Sequence, residues 1–213
     1  YLEWCDYGIG FEMIKNIIFD FGDIFINLDK QAPLIEMAKF GFTEMNSDLD
    51  AIFKSYEMGL ITSDVFVEKL QGIFTNASKT QITDAWNSII LDFPEERLKF
   101  IEKLKADNQY RLFLLSNTND LHIDKVKESM GMERFLRFNN CFEVFYLSQE
   151  MKMRKPNANI YEKVLSDNNL NASETFFIDD TKENTDSASK LGIQCWNLQV
   201  GKEDVLETLS RIV

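Results

Sequence analysis

The chain has 213 residues, 45% of them hydrophobic, which is enough to bury an ordinary core in one α/β unit with a smaller insertion. Its 23 Lys and Arg against 35 Asp and Glu leave a formal charge of −12, the opposite of the basic footprint that nucleic-acid binding requires. No stretch approaches the roughly 18 apolar residues of a spanning helix, and the first dozen residues lack the basic-then-apolar order of a secretory signal, so no membrane partner is expected.

In chain order, Met13-Ile14-Lys15-Asn16 looks like a natural start, so residues 1–12 are expected to be an N-terminal extension or a misassigned start. Ile17-Ile18-Phe19 reads as a buried strand that stops at Asp20. For about seventy residues the period then changes to that of amphipathic helices. Leu34 to Ala38, Leu49 to Tyr56, Val65 to Phe74 and Ile82 to Ile90 form a four-helix insert, with Gly59 as a helix stop and Ser63 as an N-cap. Phe93-Pro94 closes it. From Glu95 helices alternate with strands: helix Glu96 to Leu104, strand Tyr110 to Leu115, helix Leu121 to Met130 and strand Phe142 to Leu147. Helix Ala158 to Leu165, strand Thr175 to Ile178, helix Thr185 to Leu191, strand Gln194 to Leu198 and a last helix near Asp204 to Arg211 follow. Such alternation predicts an α/β fold, a Rossmann-like doubly wound parallel sheet with an α-helical cap inserted after the first strand. The core is expected over 13–29 and 95–213 and the cap over 30–94.

Four strand ends carry polar groups, and ligands of open parallel sheets bind beyond the carboxyl ends of the strands. Asp20 could attack phosphorus as a nucleophile or merely cap a turn before Gly22, whose carbonyl could face a cation. Ser116-Asn117 could donate to phosphoryl oxygens or form a plain turn, and Lys155 supplies a compact positive charge. Asp179-Asp180 is more specific. Adjacent carboxylates repel, and a hard divalent cation is the usual compensation, one Asp binding the metal and the other holding its waters or Lys155. A single Asp there could N-cap the next helix, which leaves the second unexplained.

Asp20-Phe21-Gly22, Ser116-Asn117, Lys155 and Asp179-Asp180, in that order, resemble the four motifs of the haloacid dehalogenase-like hydrolase superfamily. Ser116 to Asn119 with His122, Tyr146 to Gln149, Met153 to Pro156 and Tyr161 are similar to the branch holding α-D-glucose-1-phosphate phosphatases and the N-terminal phosphatase domain of soluble epoxide hydrolase. Glu57 to Thr62 looks like that branch's cap. The resemblance implies a Mg²⁺-dependent phosphatase acting on a small phosphate ester, a sugar phosphate, through an aspartyl phosphate. Asp20 would be the nucleophile, and Ser116, Asn117 and Lys155 would hold the phosphate. Asp20, the Gly22 carbonyl and Asp180 would bind the metal, with Asp179 as a further ligand or support.

Two residues depart from that pattern. Gly22 stands where many relatives carry a general acid, an omission tolerated in the branch resembled, which predicts a preference for sugar 1-phosphates and activated phosphates over alkyl phosphates. Asp23, next along, is either a substitute proton donor or an inert carboxylate. Lys152 stands where Gly is common; if the backbone there needs positive φ, a lysine adds strain and the loop bearing Lys155 is expected to differ in shape. Two rival functions are a metal-independent 2-haloacid dehalogenase, against which the adjacent carboxylates argue, and a degenerate non-catalytic binding protein. Trp86 and His122 read as packing residues or as pocket lining, and Glu57 and Lys54 as cap residues within possible reach of substrate. The odd, scattered set Cys5, Cys141 and Cys195 implies no disulfide framework and a reducing, cytoplasmic setting. Nothing in the sequence bears on oligomeric state.

Overall fold

The structure, a computed structural model, describes residues 13–212; the extension expected over 1–12 lies outside the described residues. Five parallel strands form one sheet in the order β3-β2-β1-β4-β5. They are β1 (Asn16–Phe19), β2 (Arg111–Ser116), β3 (Val144–Leu147), β4 (Thr175–Asp179) and β5 (Gln194–Asn197). The expected α/β architecture is therefore present, with β1 central and its neighbours drawn from opposite directions of winding.

The side-chain period of two explains the layers. Ile17, Phe19, Leu112, Leu114, Phe176 and Ile178 enter one apolar cluster, while Ile18, Phe113, Leu115 and Phe177 enter the other. The first face is covered by α5 (Glu95–Asp107), α6 (Asp120–Met130) and α7 (Met132–Asn139). The second is covered by α9 (Ala158–Asp167) and α10 (Lys182–Ser189). Strands buried on both faces need no polar alternation, which is why they read as unbroken apolar runs.

Between β1 and α5 lie α1 (Ala32–Ala38), α2 (Ser47–Glu57), α3 (Ser63–Ile73) and α4 (Lys79–Asn87). They surround their own apolar cluster, including Tyr56, Phe66, Leu70 and Trp86. Side chains cap the starts of α2 and α4: Asn46 accepts from the N–H groups of Asp48 and Leu49, and Ser78 and Gln81 form a reciprocal capping box, whereas α1 starts without one. The N-cap of α3 is Thr62, not Ser63 as expected; Thr62 is the residue with extended backbone, and its hydroxyl accepts from Val65 N–H. Gly59 does follow the end of α2 with φ +61°.

Further differences concern boundaries; α10, for one, begins three residues earlier than expected. Helix α7 went unanticipated, β3 begins two residues later than expected, and the expected last helix is a 3₁₀ turn over Val205–Glu207 followed by α11 (Thr208–Arg211). One-turn α8 (Ser148–Met151) follows β3 directly. No helix among the described residues is long and apolar enough to cross a membrane.

Candidate active site

The registers bring the singled-out residues to one rim. Phe19 pairs with Leu114 and with Ile178, so Asp20 leaves β1 level with the ends of β2 and β4. Between β1 and β4 the winding reverses direction, which is where open α/β sheets bind ligands. Asp20, Asp179 and Asp180 each offer a carboxylate oxygen within 4.8 Å of the others.

Lys155 lies in the middle of this group with only 1% of its surface exposed. Its ammonium donates to Asp179 at 2.6 Å and to the Leu115 carbonyl at 2.8 Å, and pairs with Asp20 at 2.8 Å. All three of its donors are thereby used. Burial opposes its charge, but Asp179 and Asp20 outweigh that and hold its pKa above the ordinary lysine value. Burial pushes Asp20 up to about 7, helped by the charges of Asp179 and Asp180 and opposed by Lys155.

Asp179 is engaged on both oxygens. Besides Lys155 it accepts from Thr181 N–H at 2.8 Å and from the Asn184 amide at 3.1 and 3.0 Å. Asn184 in turn receives the Tyr161 hydroxyl on its carbonyl at 3.0 Å. Asp180 instead faces the cleft, and its Oδ2 takes the Lys30 ammonium at 2.6 Å. The same ammonium lies 2.8 Å from Asp23, whose other oxygen accepts Leu28 N–H at 3.0 Å. Asp23 is thus built into the turn after β1, with φ +56°.

The side chain of Asn117 bonds reciprocally with the Lys155 peptide, donating to its carbonyl and accepting its N–H, each at 2.9 Å. This tie between two loop segments places Lys155 and uses one of the two carboxamide N–H donors of Asn117. Ser116 ends β2, buried, and lines a small cavity of about 110 Å³ that shares Gly22, Leu28, Glu57 and Asn117 with the cleft of about 410 Å³ lined by Asp20, Lys155 and Asp180. A Cβ at Gly22 would lie 2.7 Å from Leu28 Cδ1, the movable end of a side chain, so the turn after Asp20 does not by itself demand glycine there.

The helices of the insert reach this rim through α2. Arg154 pairs with Glu57 at 3.0 Å, and the Ser148 hydroxyl donates to the Glu57 carbonyl at 2.6 Å while accepting Thr118 N–H at 3.0 Å. Lys152 has φ +59°, the condition under which a lysine in place of glycine carries strain, and its ammonium caps the Gly59 carbonyl. On the far side Trp86 stacks on His122 with centroids 5.0 Å apart and donates to Asn119 at 3.2 Å. His122 and Trp86 therefore serve the seam, and His122 also borders the smaller cavity. Lys30 was not foreseen: it matches no spacing rule, and its partner Asp180 lies 150 residues away.

Hard carboxylate oxygens converging on one point suit Mg²⁺ rather than a thiophilic metal. Comparison with known proteins agrees. The family model for haloacid dehalogenase-like hydrolases matches residues 17–198. The D-ribitol-5-phosphate phosphatase of Bacteroides thetaiotaomicron is 26% identical over 197 residues, covering 90% of this chain and 95% of that protein. The crystal structure of a HAD family enzyme from the same organism is 36% identical with a TM-score of 0.82, covering 93% of this chain and 99% of that one. Its wild-type complex with magnesium and inorganic phosphate is similar at 37% identity and a TM-score of 0.79, with coverage of 89% and 96%. A HAD-like family hydrolase from Porphyromonas gingivalis is 28% identical with a TM-score of 0.77, covering 93% and 97%.

Proposed function

Because this chain belongs to the haloacid dehalogenase-like hydrolases, we propose that it is a magnesium-dependent phosphatase of small sugar or polyol phosphates, working through an aspartyl phosphate on Asp20. One observation carries the reading: a buried lysine 2.8 Å from the Asp20 carboxylate, with Asp180 beside it and open to the cleft.

Asp20, Asp180 and the Gly22 carbonyl would hold Mg²⁺, with Asp179 supporting the set by fixing Lys155. The cation would neutralise charge on the phosphoryl oxygens, its usual contribution to phosphoryl transfer. Lys155 occupies one oxygen of Asp20 and leaves the other for attack. The Asp20 oxygen bonds to phosphorus as the bond to the alcohol oxygen breaks. Water then attacks the same phosphorus, releasing phosphate and restoring the carboxylate. Ser116 and Asn117 would grip the non-reacting oxygens, and Lys155, its three donors already engaged, would offset their charge from beside Asp20.

The departing alcohol finds no carboxyl group at Gly22, so its proton comes from solvent. Leaving groups that need little protonation suffer least, and positioned acids contribute about 10²–10⁴-fold in rate. The curated relative acts on a polyol 5-phosphate, so the decisive panel is glucose 1-phosphate, glucose 6-phosphate and ribitol 5-phosphate.

The first test is hydrolysis of p-nitrophenyl phosphate. We expect release that requires Mg²⁺ and falls by at least about a thousandfold in Asp20→Asn. Undiminished turnover in that variant, or in the presence of a chelator, would exclude the mechanism.

A further inference from the structure

We propose that Lys30 is a built-in counter-cation that occupies the Asp180 carboxylate when the metal is absent and withdraws onto Asp23 when it binds, so that it sets the affinity for Mg²⁺. The proposal rests on the metal reading above and concerns a residue that reading does not use.

Lys30 Nζ bridges two carboxylates, at 2.6 Å from Asp180 Oδ2 and 2.8 Å from Asp23 Oδ2. The two lysines then divide the local negative charge: Lys155 serves Asp20 and Asp179, and Lys30 serves Asp180 and Asp23. Asp180 and Asp23 are nearly buried, with side-chain exposures of 9% and 7%, whereas the Lys30 side chain is 52% exposed. Carboxylates this buried repel one another when unpaired, so the metal-free protein needs a cation here. A side chain half in water can supply that charge and still leave at little cost.

A divalent ion sharing Asp180 would stand within a few ångströms of the ammonium, and like charges that close repel strongly. Lys30 must give up Asp180. Asp23 provides the place to go: its carboxylate is fixed by the Leu28 N–H and by the left-handed backbone of the turn, so it keeps the lysine beside the cleft. This accounts for an acidic residue at a position with positive φ, a conformation that Asp tolerates better than most residues. Asp23 is then neither a proton donor nor inert; it is the mooring of Lys30.

The test is magnesium binding by calorimetry on the whole chain with MgCl₂ as the only ligand, together with melting in chelator and in Mg²⁺. Lys30→Met should bind Mg²⁺ about three- to fivefold more tightly than the wild type, the gain expected from removing one half-exposed competing ion pair. Its melting temperature in chelator should drop, and its rise on adding Mg²⁺ should exceed that of the wild type. Lys30→Arg should stay within about twofold of the wild type. Lys54→Met is the control for the general field: Lys54 lines the same cleft but pairs with Asp50 at 2.6 Å, and it too should stay within about twofold. Unchanged or weaker binding in Lys30→Met, or an equal gain in Lys54→Met, would overturn the proposal while leaving the phosphatase reading intact. Absence of Mg²⁺ binding in both the wild type and Lys30→Met would overturn both.

Discussion

His122 shows how one side chain can couple the seam to pH. Its Nε2 faces the Trp86 carbonyl at 3.1 Å and its Nδ1 faces the Asn119 amide nitrogen at 3.0 Å. The Asn119 oxygen is already taken by Trp86 Nε1 and His122 N–H, so Nε2 carries the proton and Nδ1 accepts. A second proton would set donor against donor. Burial lowers the pKa of His122 to about 4, with the Trp86 carbonyl opposing the shift. The unfolded chain therefore binds a proton that the native seam refuses. Stability from this group is complete above about pH 6.5 and is lost as the pH falls toward 4. In urea denaturation, the wild type should lose about 1–3 kcal/mol more than His122→Gln over that interval. Parallel pH curves for the two proteins would remove His122 from the account.

At the scale of elements, the seam between the end of α2 and the loop bearing Lys155 is the least forgiving contact. Gly59 has φ +61°, and a Cβ there would lie 2.2 Å from the Gln149 carbonyl oxygen, a backbone atom that cannot rotate away. Gly59→Ala should cost about 2 kcal/mol or more in chemical denaturation, and a loss below about 0.5 kcal/mol would mean that α2 docks differently. The sequence marked Gly59 as a helix stop through its residue type alone. It could not reveal the close approach, because Gln149 lies far along the chain. The same holds for Lys30, whose two carboxylates are set by a turn and by β4 rather than by neighbours in sequence. Strands and insert helices were legible because apolar period is a local signal. Helix α7 was not, although Met132, Phe135, Leu136 and Phe138 stand at helical spacing, because it starts directly after Gly131, where the helical stretch of α6 reads as ending. Thr62 and Ser63 are both competent caps, and only backbone conformation chooses between them.

Across the whole molecule, a formal charge of −12 surrounds a cleft where Lys30, Lys54, Arg154 and Lys155 are gathered. The global field favours arrival of a divalent cation, and added salt screens it within about 10 Å at 0.1 M. The dissociation constant for Mg²⁺ should therefore rise about threefold or more between 20 and 200 mM KCl, as read by calorimetry; a flat response would show that only the nearest carboxylates matter. The order of the four motifs was legible because each follows an apolar run, and parallel strands align such ends on one edge. What no local pattern conveys is which strands adjoin. Strands β1 and β4 are hydrogen-bonded neighbours, yet Asn16 and Thr175, which face each other across them, are 159 positions apart in the chain. On the ribosome, Asp20 emerges well before the β4 segment that will flank it. Pairings of such long range form slowly, so the carboxylate cluster assembles only after β4 has joined the sheet, and a nascent chain stalled before β4 carries Asp20 without Asp179 and Asp180 beside it.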